Sequence, residues 1–515
     1  MNHSQPGAPP RASAWLLLLG FAVYWYSDTI ADPDIWGHVR FGDDIVRTGS
    51  IAQPDVYSYR TAGQLWINHE WLSEVAFAQI YRAVGPSGLI GLKVAIGGFV
   101  VGVCLAHLQR RGMAAMQAVA LLVVLSIPFR MGLGTVRPQI FTYALFLITC
   151  LIIERTTSPR DRLAWLLPAV FALWINLHGG VLAGVGVVGV WFLARGAVFL
   201  RLRRSAAGEA RRELVSLGLL MIACGFALLV NPYRERLVWF LLTTGTVPRP
   251  EISEWNPLSL TSLPGILYLL LLAAGVGGLL GTGRPRRPDL VLLFGVTAVL
   301  AVASNRHYPL FAIVLVVFAG EHLADLANRI RPPATERGRW ARPAFGASLI
   351  VCATLGALAV PRFGCIRIEP FYFPFPARAV ALVGQSGVRG QMAVPFTWGE
   401  YVLWHLGPGV KVSIDGRRET IYSEESYRQA MDFERGTGDW NALLKTARTD
   451  LVLLEKSSPS VARMSRLADW FPLYQDTLCV LFVRNEPTAI ERFTARPVPH
   501  LPDDGRGMCF PARSR

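Results

Sequence analysis

Long apolar runs set the pattern of this chain. About eleven stretches, close to 13–30, 87–106, 113–127, 139–153, 163–177, 181–200, 214–230, 263–280, 290–303, 308–326 and 344–360, are nearly free of charge. A spanning helix needs about 20 apolar residues. The pattern therefore predicts a mainly α, polytopic membrane helix bundle of about eleven transmembrane helices, several of them short.

Two segments break the rhythm. In 31–85, Ile35, Trp36, Val39, Ile45 and Val46 recur at helical spacing and Gly49 ends the run. Residues 57–66 read as a short extended hairpin around a glycine turn. A second helix runs from Asn68, a candidate cap, through Trp71, Val75, Ile80 and Tyr81, with aromatic anchors suited to a membrane surface. Beyond 361 the texture is soluble. β-like runs at 391–396, 411–414, 450–454 and 479–483 alternate with helical ones at 377–385, 399–406, 424–433 and 440–447, which reads as a small α/β domain. The expected organisation is an N-terminus of 1–12, a bundle of 13–360 that includes the first loop 31–85, and a C-terminal α/β domain of 361–515.

Composition agrees with the membrane reading: 52% of the 515 residues are hydrophobic and 17% charged. A net charge of +15 would suggest nucleic acid in a soluble protein. Here the arginines are spread over separate short loops, at 110–111, 155–162, 201–212, 284–287 and 329–342, which is every second loop. That is the positive-inside bias. It predicts the N-terminus inside, the C-terminal domain extracytoplasmic, and no nucleic-acid partner. The first apolar run follows a single arginine, Arg11, and lacks a small-residue cleavage pattern, so it reads as a retained anchor. Cys104, Cys150, Cys224 and Cys352 fall in predicted spans. Cys365, Cys479 and Cys509 fall in the outer domain, where a disulfide is permitted and the odd count leaves one over.

On this topology the outer side collects Asp32, Asp34, His38, Glu70 and Glu74 from the first loop. Arg130, Arg137, Asn176, His178, Tyr233, Glu254, Arg306 and His307 come from later loops. Carboxylates beside lipid are costly unless paired or used. A carboxylate can deprotonate a hydroxyl, and arginine or histidine can hold a departing phosphate. Outside a bacterial cytoplasmic membrane an activated group arrives on a lipid phosphate rather than a nucleotide. Asp34 and His38 share a helix face, which suits a base with its partner, a metal pair, or simply an acid favoured at a helix N-terminus. One Asp/His pair is a weak metal signal, so a divalent metal stays an option and no cofactor is assigned. Lys93 is the clearest basic residue within an apolar run, and snorkelling explains it as well as ligand contact does. Asp415-Gly416-Arg417, after a predicted strand, reads first as a tight structural turn.

The strings DPDIWGH (32–38), NHEWLSE (68–74), VRPQIF (136–141), NLHGG (176–180), NPY (231–233), WGEYVLWHL (398–406) and IDGR (414–417) resemble a bacterial branch of the GT-C superfamily of integral-membrane glycosyltransferases. That superfamily includes the protein O-mannosyltransferases and the lipid A aminoarabinose transferase. The resemblance implies transfer of a sugar from a polyprenyl-phosphate donor to a glycan, lipid or protein acceptor at the outer face of the cytoplasmic membrane. It also implies that an acid of the first outer loop is the base, here Asp34 or Asp32, with His38 beside it. The protein mannosyltransferases carry adjacent Asp-Glu where this chain has Asp-Pro-Asp, which leaves the choice between the two open. Arg137, His178, Arg306, His307, Lys93, Glu70 and Tyr233 are the candidates for donor phosphate or substrate. Two other readings are a transporter or flippase of a lipid-linked saccharide and a non-catalytic envelope scaffold. Spans almost free of charge, with polar groups gathered at one face, weigh against transport.

Overall fold

A computed structural model describes residues 8–202, 207–244, 247, 252–330, 338–494 and 497–512. Parts of the basic loops 201–212 and 329–342 lie outside the described residues. In chain order, α1 (Ala8–Ser27) precedes two helices of the first loop, α2 (Ile35–Thr48) and α3 (Trp71–Val84). Then come α4 (Pro86–Arg110), α5 (Ala115–Leu133), α6 (Gln139–Arg155), α7 (Leu167–Leu177), α8 (Val181–Leu202) and α9 (Ala207–Ala227). The series continues with α10 (Glu235–Thr244), α11 (Leu263–Gly281), α12 (Pro288–Ala303), α13 (Tyr308–Ile330) and α14 (Gly338–Phe363). Every apolar stretch of the sequence thus carries a helix. Among the described residues six segments are long and apolar enough to cross a membrane: Pro86–Arg110, Ala115–Leu133, Val181–Arg201, Leu263–Gly281, Asn305–Ile330 and Pro343–Phe363. Ala164–Leu177 and Pro288–Ala303 are apolar but shorter.

The chain divides into two compact units. The first comprises Met1–Asp28, Ile90–Gly134 and Pro138–Arg362. Its centre is α13, which packs against α5, α6, α11 and α12. Helix α13 is apolar all round, as a helix enclosed by others must be, and 78% of its apolar window is buried. At the periphery, 11% of the Pro343–Phe363 window is buried, with Leu349, Ile350, Leu358 and Val360 exposed. An apolar flank of that extent suits hydrocarbon rather than water. Helix α14 meets α1 where Gly20 approaches Cys352: a Cβ on Gly20 would stand 2.7 Å from Cys352 Cα. Small residues permit such close crossings.

The second unit comprises Thr29–Leu89, Thr135–Arg137 and Phe363–Arg515. The first loop is therefore compact with the tail, whereas the sequence grouped 31–85 with the spans. The tail holds α15 (Ala377–Ser386), β1 (Gly390–Ala393), α16 (Gly399–Leu406), β2 (Val410–Val412), α17 (Glu424–Arg435) and α18 (Ala442–Thr446). It ends with β3 (Leu451–Glu455), α19 (Pro459–Met464), β4 (Trp470–Gln475), β5 (Cys479–Arg484) and α20 (Pro487–Thr494). The five strands form one mixed sheet in the order β2-β1-β3-β5-β4. β1 runs parallel to β2 and β3, and β5 runs antiparallel to β3 and β4. All four β-like runs of the sequence are strands. β4 escaped notice because Pro472 interrupts it and its burial does not alternate.

Three devices tie the first loop to the tail. The predicted 57–66 hairpin is displaced: its arms pair at Asp55–Gln64 and at Trp66–Gln53, and residues 57–59 instead line the β2 edge. Tyr59 N donates to Val412 O and Val412 N to Tyr57 O. Trp36 of α2 packs among Phe375, Tyr401 and Phe510 of the tail, and its indole donates to Pro511 O at 3.1 Å. Arg417 donates to Asp55 Oδ1 at 2.7 Å and grips Asp415 through Nε (2.8 Å) and Nη2 (2.7 Å). Both acids are fully buried and Arg417 is 4% exposed at its side chain. The guanidinium lies over the rings of Phe41, Tyr57 and Trp66, which shield it from water. A Cys365–Cys509 disulfide closes the tail and leaves Cys479 free and buried.

Candidate functional site

The first loop positions the acids. Gly49, at φ 66°, takes the left-handed conformation that ends α2, as the sequence indicated. At the other end Asp34 is the residue before the first turn. Asp32 Oδ1 accepts from Asp34 N at 3.1 Å, a tight turn that puts both carboxyl groups on one side. Arg137 then bridges them, at 3.0 Å from Asp34 Oδ2 and 3.7 Å from Asp32 Oδ2. Burial first, and the neighbouring Asp32 second, push Asp34 up to about 7; Arg137 and His38 pull in the opposite direction without prevailing. The side chain nonetheless keeps 24% of its surface exposed, so it is reachable.

His38 lies one turn inside α2, with Nδ1 3.5 Å from Glu74 Oε1 and 3.9 Å from Glu70 Oε2. Burial disfavours the charged ring, but Glu74, then Glu70 and Asp34, outweigh it and His38 is raised above its ordinary value. Glu74 is held in place by Asn68 Nδ2 at 2.5 Å. Asn68 also accepts from Glu70 N at 3.2 Å. It therefore caps the approach to α3 from two residues before the helix's own boundary residue, Glu70. α2 and α3 pack so closely that a Cβ on Gly42 would stand 1.9 Å from Glu74 O.

The tail supplies groups that sequence reasoning missed. Glu400 of α16, 4% exposed, accepts from Gly37 N at 3.0 Å. Gly416 of the IDGR string passes against both acids: a Cβ there would lie 2.4 Å from Asp34 Oδ1 and 2.7 Å from Glu400 Oε1. The signal was an acid at the head of an otherwise apolar helix, Gly399–Leu406. Asp415 and Arg417, read as a turn, also anchor the loop.

In the first unit a second cluster forms. Gly180 N donates to His178 Nδ1 at 2.8 Å, and Thr142 Oγ1 lies 2.9 Å from the same atom. With Nδ1 an acceptor, the neutral ring carries its proton on Nε2. Nε2 lies 3.4 Å from Arg306 Nη2, so the histidine and the arginine are side by side. Arg306 is braced over the Trp255 ring. His307 Nδ1 is buried and meets no hydrogen-bond partner among the described residues. Tyr233 is buried, its N–H on Asn231 Oδ1 at 2.8 Å. Lys93 is fully buried and donates to the carbonyls of Asp28 (3.1 Å) and Gly134 (2.9 Å). Among the described residues no group of three or more His, Cys, Asp or Glu side chains is arranged to hold a metal.

The described residues thus hold a helical bundle with six segments long and apolar enough to cross a membrane, and a small mixed sheet toward the C-terminus. The crystal structure of ArnT from Cupriavidus metallidurans bound to undecaprenyl phosphate is similar to this chain, with a TM-score of 0.50 and 14% identity. The match covers 92% of this chain and 98% of that one. At that identity the likeness is one of fold. No protein-family model matches the sequence, and no curated protein does.

Proposed function

We propose that this protein is a lipid-phosphate-dependent glycosyltransferase of inverting type, working at the outer face of a bacterial cytoplasmic membrane. Asp34 is the general base. The observation that carries this is the state of its carboxyl: crowded by Asp32, bridged by Arg137, and pushed up to about 7 while still reachable. A base is most effective when its pKa lies near the working pH. Asp32 is the lesser candidate, since its Oδ1 is occupied in fixing the turn.

In the reaction Asp34 takes the proton from the acceptor hydroxyl, whose oxygen attacks the anomeric carbon. The bond from that carbon to the phosphate oxygen breaks, and the lipid phosphate leaves with the electron pair. Within the first unit, Arg306 and His178 are the candidates for contact with the lipid phosphate. Arg137 is engaged with the two acids and opposes the rise of Asp34. The ArnT fold, seen there with undecaprenyl phosphate, supports a polyprenyl carrier as donor.

The test is incubation of purified protein, and of Asp34→Asn, with labelled polyprenyl-phosphate sugars and envelope acceptors. The expected outcome is transfer by the native protein and a loss of about a hundredfold or more in the variant, with donor binding retained. Equal transfer by both would overturn the base assignment. Absence of donor binding would overturn the class in favour of a scaffold.

A further inference from the structure

The N-terminus of α2 is capped in an unusual way. An aspartate at that position ordinarily turns its own carboxylate back to accept an N–H of the first turn. Asp34 makes no such bond. The third N–H of the helix, Gly37 N, goes instead to Glu400 Oε2, a buried acid from the tail more than 360 residues away in sequence. Gly37 can only accept this acid because it has no Cβ, which would stand 2.1 Å from Glu400 Oε2. Gly416 brings Asp34 Oδ1 and Glu400 Oε1 to the same spot.

The geometry points to Glu400 as a positioning residue: by capping α2 in place of Asp34, it frees the Asp34 carboxyl to face Arg137 and the acceptor. This deepens the proposed reaction and rests on Asp34 being its base. The C-terminal domain is then part of the site rather than an appendage, because the base cannot be presented without it. Burial, then the charges of Asp34 and Asp415, push Glu400 well above the usual carboxylate range; Arg417 opposes and Glu74 adds to the rise. Glutamine reproduces both the shape of Glu400 and its acceptor oxygen. The charged groups around Asp34 itself are Asp32, Arg137, His38 and Glu70.

The experiment uses the full-length protein in lipid nanodiscs with two variants, Glu400→Gln and Glu400→Met. The Asp34 carboxyl band is identified by its loss in Asp34→Asn and followed through pH by infrared spectroscopy, alongside the pH dependence of transfer. Glu400→Gln is expected to keep the Asp34 midpoint and the transfer rate within about threefold of native. Glu400→Met leaves Gly37 N–H to Asp34, so the midpoint falls toward the ordinary value of about 4, and transfer falls tenfold or more with the KM for donor unchanged. The inference is overturned if Glu400→Met leaves the midpoint in place, or if Glu400→Gln lowers it as much as Glu400→Met. If Glu400→Met does not fold, Gly416→Ala carries the test: its methyl must displace Asp34 Oδ1 and move the midpoint, and no movement overturns the inference. If Asp34→Asn keeps full transfer, the base assignment falls, while the infrared titration still judges Glu400.

Discussion

Replacing Arg417 by methionine tests how the first loop is held. The substitution keeps most of the side-chain volume but removes three charge-assisted hydrogen bonds and leaves Asp55 and Asp415, both fully buried, without their cation. Breaking a buried pair from one side costs about 3–5 kcal/mol, because an uncompensated charge stays behind. At about 1.4 kcal/mol per tenfold change, opening of the loop against the tail becomes about a hundred to several thousand times more frequent. Tyr422, which donates to Asp415 Oδ2 at 2.9 Å, and Thr61, which donates to Asp55 Oδ2 at 2.5 Å, recover a little of this. Hydrogen exchange on the full-length protein reads the effect directly: amides of Thr29–Leu89 lose protection by that factor while those of α13 do not change. Adding Asp55→Asn and Asp415→Asn should restore part of the protection, since no ionised group then remains buried. If Arg417→Met changes exchange by less than about fivefold, the network is not what joins loop to tail.

Other expectations follow from the same geometry. Transfer should rise with pH through about 7 as Asp34 ionises; Arg137→Gln moves that limb to higher pH and Asp32→Asn to lower pH, and a limb unmoved by either removes the assignment. The sign for stability is opposite: Asp34 is raised on folding, so its contribution is complete below about 4 and is lost as pH climbs through about 7, visible in thermal unfolding of native protein against Asp34→Asn. Arg306→Ala should raise the KM for the lipid donor tenfold or more with a smaller loss in kcat; an unchanged KM would remove Arg306 from donor contact. Reducing Cys365–Cys509, which closes a loop 144 residues long in sequence separation, should destabilise the tail by up to about 5 kcal/mol on the chain-entropy scale, and protease resistance of Phe363–Arg515 reports it.

Much of this was readable in the chain. The helices announced themselves because apolar runs must fold their backbone bonds inward, and α2 because its apolar residues keep helical spacing up to Gly49. Asp34 and Asp32 stood out as acids beside a span, and their approach to Arg137 depends on a short turn encoded by Asp-Pro-Asp. Glu400 was legible only as an acid at the head of an apolar helix. Its significance lies in a contact between helices separated by most of the sequence, and periodicity carries no information about tertiary partners. Arg417 illustrates the same limit, since a local turn and a distant clamp share one signature. The displaced hairpin has a nearer cause: the Asp55 carboxylate gathers the N–H groups of Tyr57 and Ser58, which turns 57–59 away from their expected partner and toward β2.

The scant burial of α14 has a practical corollary. The Gly20 crossing with α1 is a tight seam, while much of the described flank presents leucine, isoleucine and valine outward. Acyl chains are therefore structural material for this helix, in the way a neighbouring subunit would be. Extraction into small, short-chain detergents removes that support, and the closing span is where delamination of the bundle would begin.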